Sequence, residues 1–275
     1  MGRRARLIYH VDMNATPSVG DLLRTWRQRR RMTQLDLAGV AEISARHLSF
    51  METGRSVPSR AMLLRLAERL DVPLRERNPL LLSAGYAPLY SEKTLDDPTL
   101  GQARRAVEMV LAGHEPYPAL AVDRHWTLLM ANRSVGPLMI GADPKLLEPP
   151  VNVLRLGLHP RGLASRIENL SQWKAHVLAR LRSQMQATSD PKLIALYNEL
   201  DAYPARPDSE SSAREEYDPA GVVVPLLLRT DNGVLEFIST TTVFGTPLDI
   251  TLAELAIETF LPANAATADT LRRAG

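Results

Sequence analysis

The chain has 275 residues, of which 45% are hydrophobic and 23% charged, and its formal net charge is +2. It contains no cysteine, which excludes disulfides, thiol nucleophiles and cysteine-ligated zinc. No apolar run reaches the roughly 18 residues that a transmembrane helix needs. Residues 1–87 carry 15 Lys and Arg against 8 Asp and Glu, whereas residues 88–275 carry 18 against 23. This asymmetry predicts two domains with different partners, and because no secretory signal is found we expect the protein in the cytoplasm.

Short helices are predicted throughout the N-terminal part of the chain. A basic arm covers residues 1–17, a five-helix domain covers residues 18–85, and a linker with prolines and acidic residues covers residues 86–99. Residue types that commonly cap helix N-termini stand at the start of the first four predicted helices: Ser18, Thr33, Ser44 and Ser59.

The C-terminal part mixes helical and β-strand patterns. Residues 100–262 are predicted as one α+β domain, an antiparallel sheet with helices on one side, followed by a C-terminal tail at residues 263–275. The predicted elements are a helix over residues 100–113, a hairpin over 117–132, a long helix that includes Ile167 and Met185, a hairpin over 222–244 and a closing helix over 252–260.

Residues 33–52 predict two short helices joined by a tight turn, which is the geometry of a helix-turn-helix motif. The second helix of such a motif enters the major groove of DNA with its N-terminal residues towards the base edges. The apolar residues expected to hold the two helices together are Leu37, Ala38, Leu48 and Met51.

This segment resembles the XRE/lambda-repressor family of helix-turn-helix domains over residues 18–84. The dipeptides that carry the resemblance are Thr33-Gln34, Leu37-Ala38, Ile43-Ser44, Leu48-Ser49, Met51-Glu52, Gly54-Arg55 and Pro58-Ser59. The resemblance implies a homodimer that reads a palindromic operator in double-stranded DNA. One departure is Glu42, which stands in the turn where the family usually has glycine, a position that often needs a left-handed backbone.

The same resemblance implies the residues that contact DNA. Gln34 is expected at a phosphate, Arg46 at a guanine through two hydrogen bonds, and Arg55 at the DNA backbone. The full predicted set is Thr33, Gln34, Ser44, Ala45, Arg46, Ser49 and Arg55.

No catalytic or metal-binding motif is found in the sequence. It lacks a Gly-rich phosphate loop, a G-x-S-x-G motif and a His-Glu-x-x-His motif, and its six histidines have no metal-ligand spacing. We therefore expect neither an enzyme nor a resident cofactor or metal.

The C-terminal part resembles the PAS-related ligand-binding domain of MmyB-like regulators over residues 100–262. The resemblance is carried by Tyr117-Pro118-Ala119, Val122-Asp123-Arg124, Ala131-Asn132, Leu158-His159-Pro160-Arg161, Trp173 and Leu181-Arg182. It implies a small apolar effector, such as a fatty acid, bound between sheet and helices. The candidate cavity residues are Leu128, Met130, Leu138, Met139, Trp173, Val177, Leu226, Leu228, Phe237 and Ile238.

A fatty-acid carboxylate would need a cation or amide cluster, and the candidates are Arg155, Arg161, Arg166 and Arg229. Two alternatives stay open. The C-terminal domain either only dimerises or binds a protein partner, with its apolar residues filling a core, or it is an enzyme tethered to a DNA-binding domain.

Overall fold

The computed structural model describes residues 17–188, 190–205, 224–245 and 247–274. The chain divides into two compact units, residues 1–91 and 92–275. Nearly all of the predicted N-terminal arm, at residues 1–17, lies outside the described residues. The predicted linker, residues 86–99, spans the division between the units. Its first part belongs to the N-terminal unit, because the Asn78 side chain accepts hydrogen bonds from the backbone amides of Leu89 and Tyr90.

Five α-helices form the described part of the N-terminal unit, as the sequence predicts. They are α1 (Val19–Arg29), α2 (Gln34–Val40), α3 (Ala45–Glu52), α4 (Arg60–Arg69) and α5 (Leu74–Ser83). Each of the first four helices begins after a Ser or Thr whose hydroxyl accepts a hydrogen bond from a backbone amide of the first turn. This satisfies a donor that would otherwise lack a partner. The four capping residues are Ser18, Thr33, Ser44 and Ser59.

All five helices contribute side chains to the core of this unit. The predicted contact residues Leu37, Ala38, Leu48 and Met51 are all buried in one apolar cluster. Gly20 of α1 lies against α3 so closely that an added Cβ would come within 2.6 Å of the Met51 carbonyl oxygen. The helix-turn-helix pair is therefore held rigidly against α1.

The turn between α2 and α3 has a left-handed backbone conformation at Glu42, where the family usually has glycine. Glu42 has a φ of 58°, a conformation that costs a residue with a Cβ about 1 kcal/mol or more. We predict that Glu42→Gly raises the free energy of unfolding by up to about 1 kcal/mol, read from the urea midpoint at unchanged slope. Glu42→Ala removes the same charge but keeps the Cβ, so an equal gain in that control would contradict the backbone explanation.

The C-terminal unit contains six α-helices, four short 3₁₀ helices and five strands within its described residues. The helices are α6 (Gly101–Gly113), α7 (Val153–Leu158), α8 (Leu170–Thr188), α9 (Pro191–Asp201), α10 (Ile250–Ala253) and α11 (Ala265–Ala274). The strands are β1 (Ala119–Val122), β2 (Leu128–Ala131), β3 (Leu226–Thr230), β4 (Gly233–Val243) and β5 (Ala256–Pro262). They form one antiparallel sheet in the order β2-β1-β5-β4-β3.

Two expectations for the end of the chain were wrong. The predicted closing helix is mostly the central strand β5, and only the four residues of α10 before it are helical. Strand β5 is covered on both faces, so its residues lack the alternation that marks a half-buried strand, and a short apolar run of this kind does not distinguish strand from helix. The predicted tail contains the helix α11. The hydroxyl of Thr267 in α11 accepts a hydrogen bond from the backbone amide of Glu236 in β4.

Helices cover both faces of the sheet, which corrects the expectation of one covered side. On β1, Leu120 and Val122 face a large cluster with α8 and α9, whereas Ala119 and Ala121 face α6. In the part of the chain that the structure describes, no helix is long and apolar enough to cross a membrane.

Candidate functional site

The predicted DNA-contacting residues of α3 lie at its N-terminal end and on its exposed side. Ser44 caps the helix through the His47 amide, and Arg46 is exposed one turn before Phe50. The Phe50 ring lies 5.4 Å from the guanidinium carbon of Arg46 and 5.8 Å from that of Arg55. The Phe50 ring therefore makes cation–π contacts with two arginines of this segment.

The structure places Gln34 against a buried ion pair that sequence reasoning missed. Its Nε2 donates to Glu52 Oε2 at 2.9 Å. Arg27 donates to both oxygens of the same carboxylate, at 2.6 and 2.8 Å, and Glu52 is only 2% exposed. Burial raises the pKa of Glu52, but the hydrogen bonds from Arg27 and Gln34 outweigh it, so the pKa lies below its ordinary value. Glu52 is thus ionised at neutral pH and fixes the first residue of α2.

A separate apolar cavity of about 120 Å³ lies in the C-terminal unit, between the sheet and helices α7 and α8. Its wall also includes Leu138 and Met139 from a short 3₁₀ helix, Gly136–Met139. A buried apolar cavity of roughly 150 Å³ holds a benzene molecule. The cavity is somewhat smaller than this reference, so a chain-like apolar ligand requires part of the wall to move.

Seven of the ten predicted cavity residues come together in this wall. They are Leu128, Leu138, Met139, Trp173, Val177, Leu226 and Leu228. The other three predicted residues, Met130, Phe237 and Ile238, do not line it.

Strand geometry explains the three exceptions. Met130 lies in the cluster on the opposite face of the sheet from Leu128, because a bulge places one extra residue, Leu129, between them in β2. Phe237 is fully buried in the core next to the cavity. Ile238 follows it directly in β4, and neighbouring strand residues point to opposite faces.

The four arginines predicted for a carboxylate do not line the cavity. Each has a protein partner instead: Glu199 for Arg155 (2.6 and 2.8 Å), Asp143 for Arg161 (2.7 Å), Glu168 for Arg229 (3.6 Å) and the Leu138 carbonyl oxygen for Arg166.

The polar end of the cavity is formed by residues that the sequence analysis did not name. Arg180 of α8 donates to the two oxygens of Glu258 in β5, at 2.8 and 3.2 Å, and Ser239 of β4 lines the wall beside them. Arg180 stands three residues after Val177, so helical spacing was a usable signal for it. Glu258 had no such signal, because its strand was interpreted as helix.

Trp126 lines the cavity and contacts Arg180 at its polar end. Its ring lies 5.0 Å from the guanidinium carbon of Arg180, and its indole nitrogen donates to Gln184 of α8 at 2.9 Å. The residue has a φ of 66°, which is an outlier for a bulky side chain. Backbone strain of this kind is concentrated at functional sites, which is consistent with a binding role for the cavity.

Each of the two units matches a family model of known proteins. A family model described as helix-turn-helix domain matches residues 18–80, and one described as MmyB-like transcription regulator ligand binding domain matches residues 103–274. No curated protein matches the chain. The helix-turn-helix domain implies binding to DNA, and the second domain implies binding of a small molecule. The chain belongs to the MmyB-like transcription regulator ligand-binding-domain family, and it carries a helix-turn-helix domain ahead of that domain.

Proposed function

We propose that the protein is a cytoplasmic, homodimeric regulator that binds a palindromic operator and responds to a small apolar molecule with an acyl chain, of which a fatty acid is one form. The single observation that carries the ligand proposal is the apolar cavity between the sheet and helices α7 and α8. The DNA proposal is supported by α3, whose exposed end presents Arg46 beside Arg55.

A dimer is proposed because one helix-turn-helix unit reads only one half-site. Two units related by a two-fold axis read half-sites about 34 Å apart along one face of DNA. Charge supports this use of the N-terminal part, since residues 1–87 have an excess of seven positive charges. Counterion release on binding makes such contacts strongly dependent on salt.

The energetic cost of the cavity supports a ligand over a simple core. Enclosed voids cost about 24 cal/mol per Å³, so 120 Å³ of apolar space closed off from both ligand and solvent would cost at most about 3 kcal/mol. That is a large part of the marginal stability of a domain. An apolar ligand removes this cost by filling the space.

Regulation requires that the ligand bind the DNA-competent and DNA-incompetent states with different affinity. Leu138 and Met139 are suited to this coupling, because they line the cavity from a single 3₁₀ turn and remain partly exposed. A chain longer than the cavity displaces this turn. We propose that its displacement changes the geometry of the dimer.

The test is to identify the ligand and its effect on stability. We expect organic extraction of the purified full chain to release an acyl compound, and we expect that compound to raise the melting temperature with concentration. A concentration of 100 times Kd adds about 2.7 kcal/mol. Val177→Phe fills the cavity from α8, so it should fold but lose the shift. An empty extract, with no shift from any acyl compound, would favour a dimerisation or protein-binding domain.

A further inference from the structure

We propose that the cavity selects its ligand by head-group charge: it accepts an apolar molecule that ends in a neutral hydrogen-bonding group, such as an amide, alcohol or ester, and disfavours an ionised carboxylate. This inference depends on the proposed function, because it assumes that the ligand occupies the cavity. It narrows the proposed ligand from acyl compounds in general to those with an uncharged head group, so it predicts weak binding of a fatty acid whose carboxylate is ionised. It also names the residues that select the head group.

The polar end of the cavity already contains a complete ion pair. Arg180 Nη1 and Nη2 donate to the two different oxygens of Glu258, and Glu258 is 3% exposed. Thr241 closes the arrangement, since its hydroxyl accepts from Arg180 Nη2 at 2.8 Å and donates to Glu258 Oε1 at 2.7 Å. Of the described residues that line the cavity, the charged ones are Arg180 and Glu258. Their charges cancel, so this end of the cavity is neutral.

A ligand carboxylate at this end meets an unfavourable field. Arg180 is bonded through both terminal nitrogens to Glu258, so the ligand has to displace Glu258 or lie beside it. Displacement leaves a buried carboxylate without its partner, which is strongly unfavourable. A position beside Glu258 brings two like charges together in a medium of low dielectric constant. The ligand carboxylate also loses part of its hydration without a new counter-charge, since Glu258 is buried and the Arg180 side chain is only 30% exposed.

Among the described residues that line the cavity, Arg180 is the only lysine or arginine. His176 is the nearby candidate, one turn before Arg180 on α8, with its ring stacked on Trp173 at 5.4 Å. Burial, followed by the charge of Arg180, lowers the pKa of His176, so its ring is neutral at pH 7. It therefore adds no positive charge to bind an anion.

A neutral head group finds a suitable partner here. Ser239 lines the cavity in β4, and its hydroxyl makes no hydrogen bond to any described residue. A hydroxyl both donates and accepts, so Ser239 can pair with an amide, alcohol or ester without disturbing the Arg180–Glu258 pair. Such a ligand buries its chain among apolar residues and leaves no charge unpaired.

The experiment compares octanamide with octanoate at pH 7.5, two compounds of equal chain length that differ in head-group charge. Binding to the full chain is measured from the dependence of melting temperature on ligand concentration. We expect octanamide to bind at least 10-fold more tightly than octanoate. Glu258→Gln leaves Arg180 without its counter-charge, so we expect it to raise octanoate affinity at least 10-fold while octanamide affinity changes less than threefold.

Two further variants separate this inference from general effects. Glu168→Gln makes the same charge change at an ion pair outside the cavity, with Arg229, and should leave both affinities unchanged. If Glu258→Gln does not fold, Ser239→Ala is the second test of the inference. It should weaken octanamide binding about 5-fold without affecting octanoate binding. Thr242→Ala, on the exposed part of the same strand, is its control.

The outcomes distinguish the inference from the proposed function. Octanoate binding as tightly as octanamide to the unmodified protein would overturn the charge selection and leave ligand binding in place. Absence of saturable binding by either compound would overturn the charge selection, and together with an empty organic extract it would overturn the proposed function as well. Tighter binding of octanamide than of octanoate, together with stronger octanoate binding in Glu258→Gln, would support both.

Discussion

Glu52→Ala is expected to lower the free energy of unfolding of the N-terminal unit by about 3–5 kcal/mol and to abolish DNA binding with it. The reason is the buried pair with Arg27, whose side chain is 11% exposed while that of Glu52 is fully buried. Removing the carboxylate leaves the guanidinium buried without a counter-charge and releases Gln34 from its contact. The measurement is urea unfolding of the full chain, together with titration against operator DNA.

Glu52→Gln is the matched control, because it keeps the shape and part of the hydrogen bonding and should cost less than Glu52→Ala. The pKa of Glu52 lies below its ordinary value in the folded state. The pair's stabilisation is therefore complete above the unfolded pKa of about 4.3 and is lost as the pH falls through the folded pKa. The loss of this acid dependence in Glu52→Gln would confirm the assignment. Equal stability of all three proteins would contradict it.

Arg46→Ala is expected to cost about 1–3 kcal/mol of discrimination at one base-pair position of the operator. The exposed guanidinium is held beside the Phe50 ring at the reading end of α3, where a fork of two donors matches the guanine edge. The measurement is the affinity for a set of operators with single base substitutions, at one stated salt concentration.

Arg69→Ala is the control for Arg46→Ala, because it removes the same charge from an exposed position at the end of α4. It should leave the preference among operators unchanged. Equal weakening of all operators by Arg46→Ala, with a smaller salt dependence, would instead identify Arg46 as a phosphate contact.

The N-terminal domain could be predicted closely because its signals are local. Each of the first four helices begins with a capping hydroxyl within the segment it caps, and the core residues Leu37 and Leu48 follow helical spacing. The contact of Gln34 with Glu52 was not predictable in this way. The two residues are 18 positions apart, and only the packing of α2 on α3 brings them together.

The C-terminal domain was less predictable because its strands pair over long distances. The second hairpin was predicted correctly from its turn residues, which lie between β3 and β4. Strand β5 was misread as helix because its position between β1 and β4 buries both of its faces. The bulge in β2 places the side chain of Met130 on the opposite face of the sheet from that of Leu128. No local sequence pattern predicts an extra residue in a four-residue strand.

The sequence by itself determined the two-domain organisation and the helix-turn-helix geometry, because these depend on periodicity, capping and composition within short segments. Of the 22 described residues that line the cavity, seven were predicted, with the help of a family resemblance. Only the tertiary structure decided which charges face the cavity. Arg155, Arg161, Arg166 and Arg229 are engaged elsewhere, and Arg180 lines the cavity beside Glu258, 78 residues away. The physical reason is that a charge in a protein interior is positioned by its partner, and the partner is chosen by the fold.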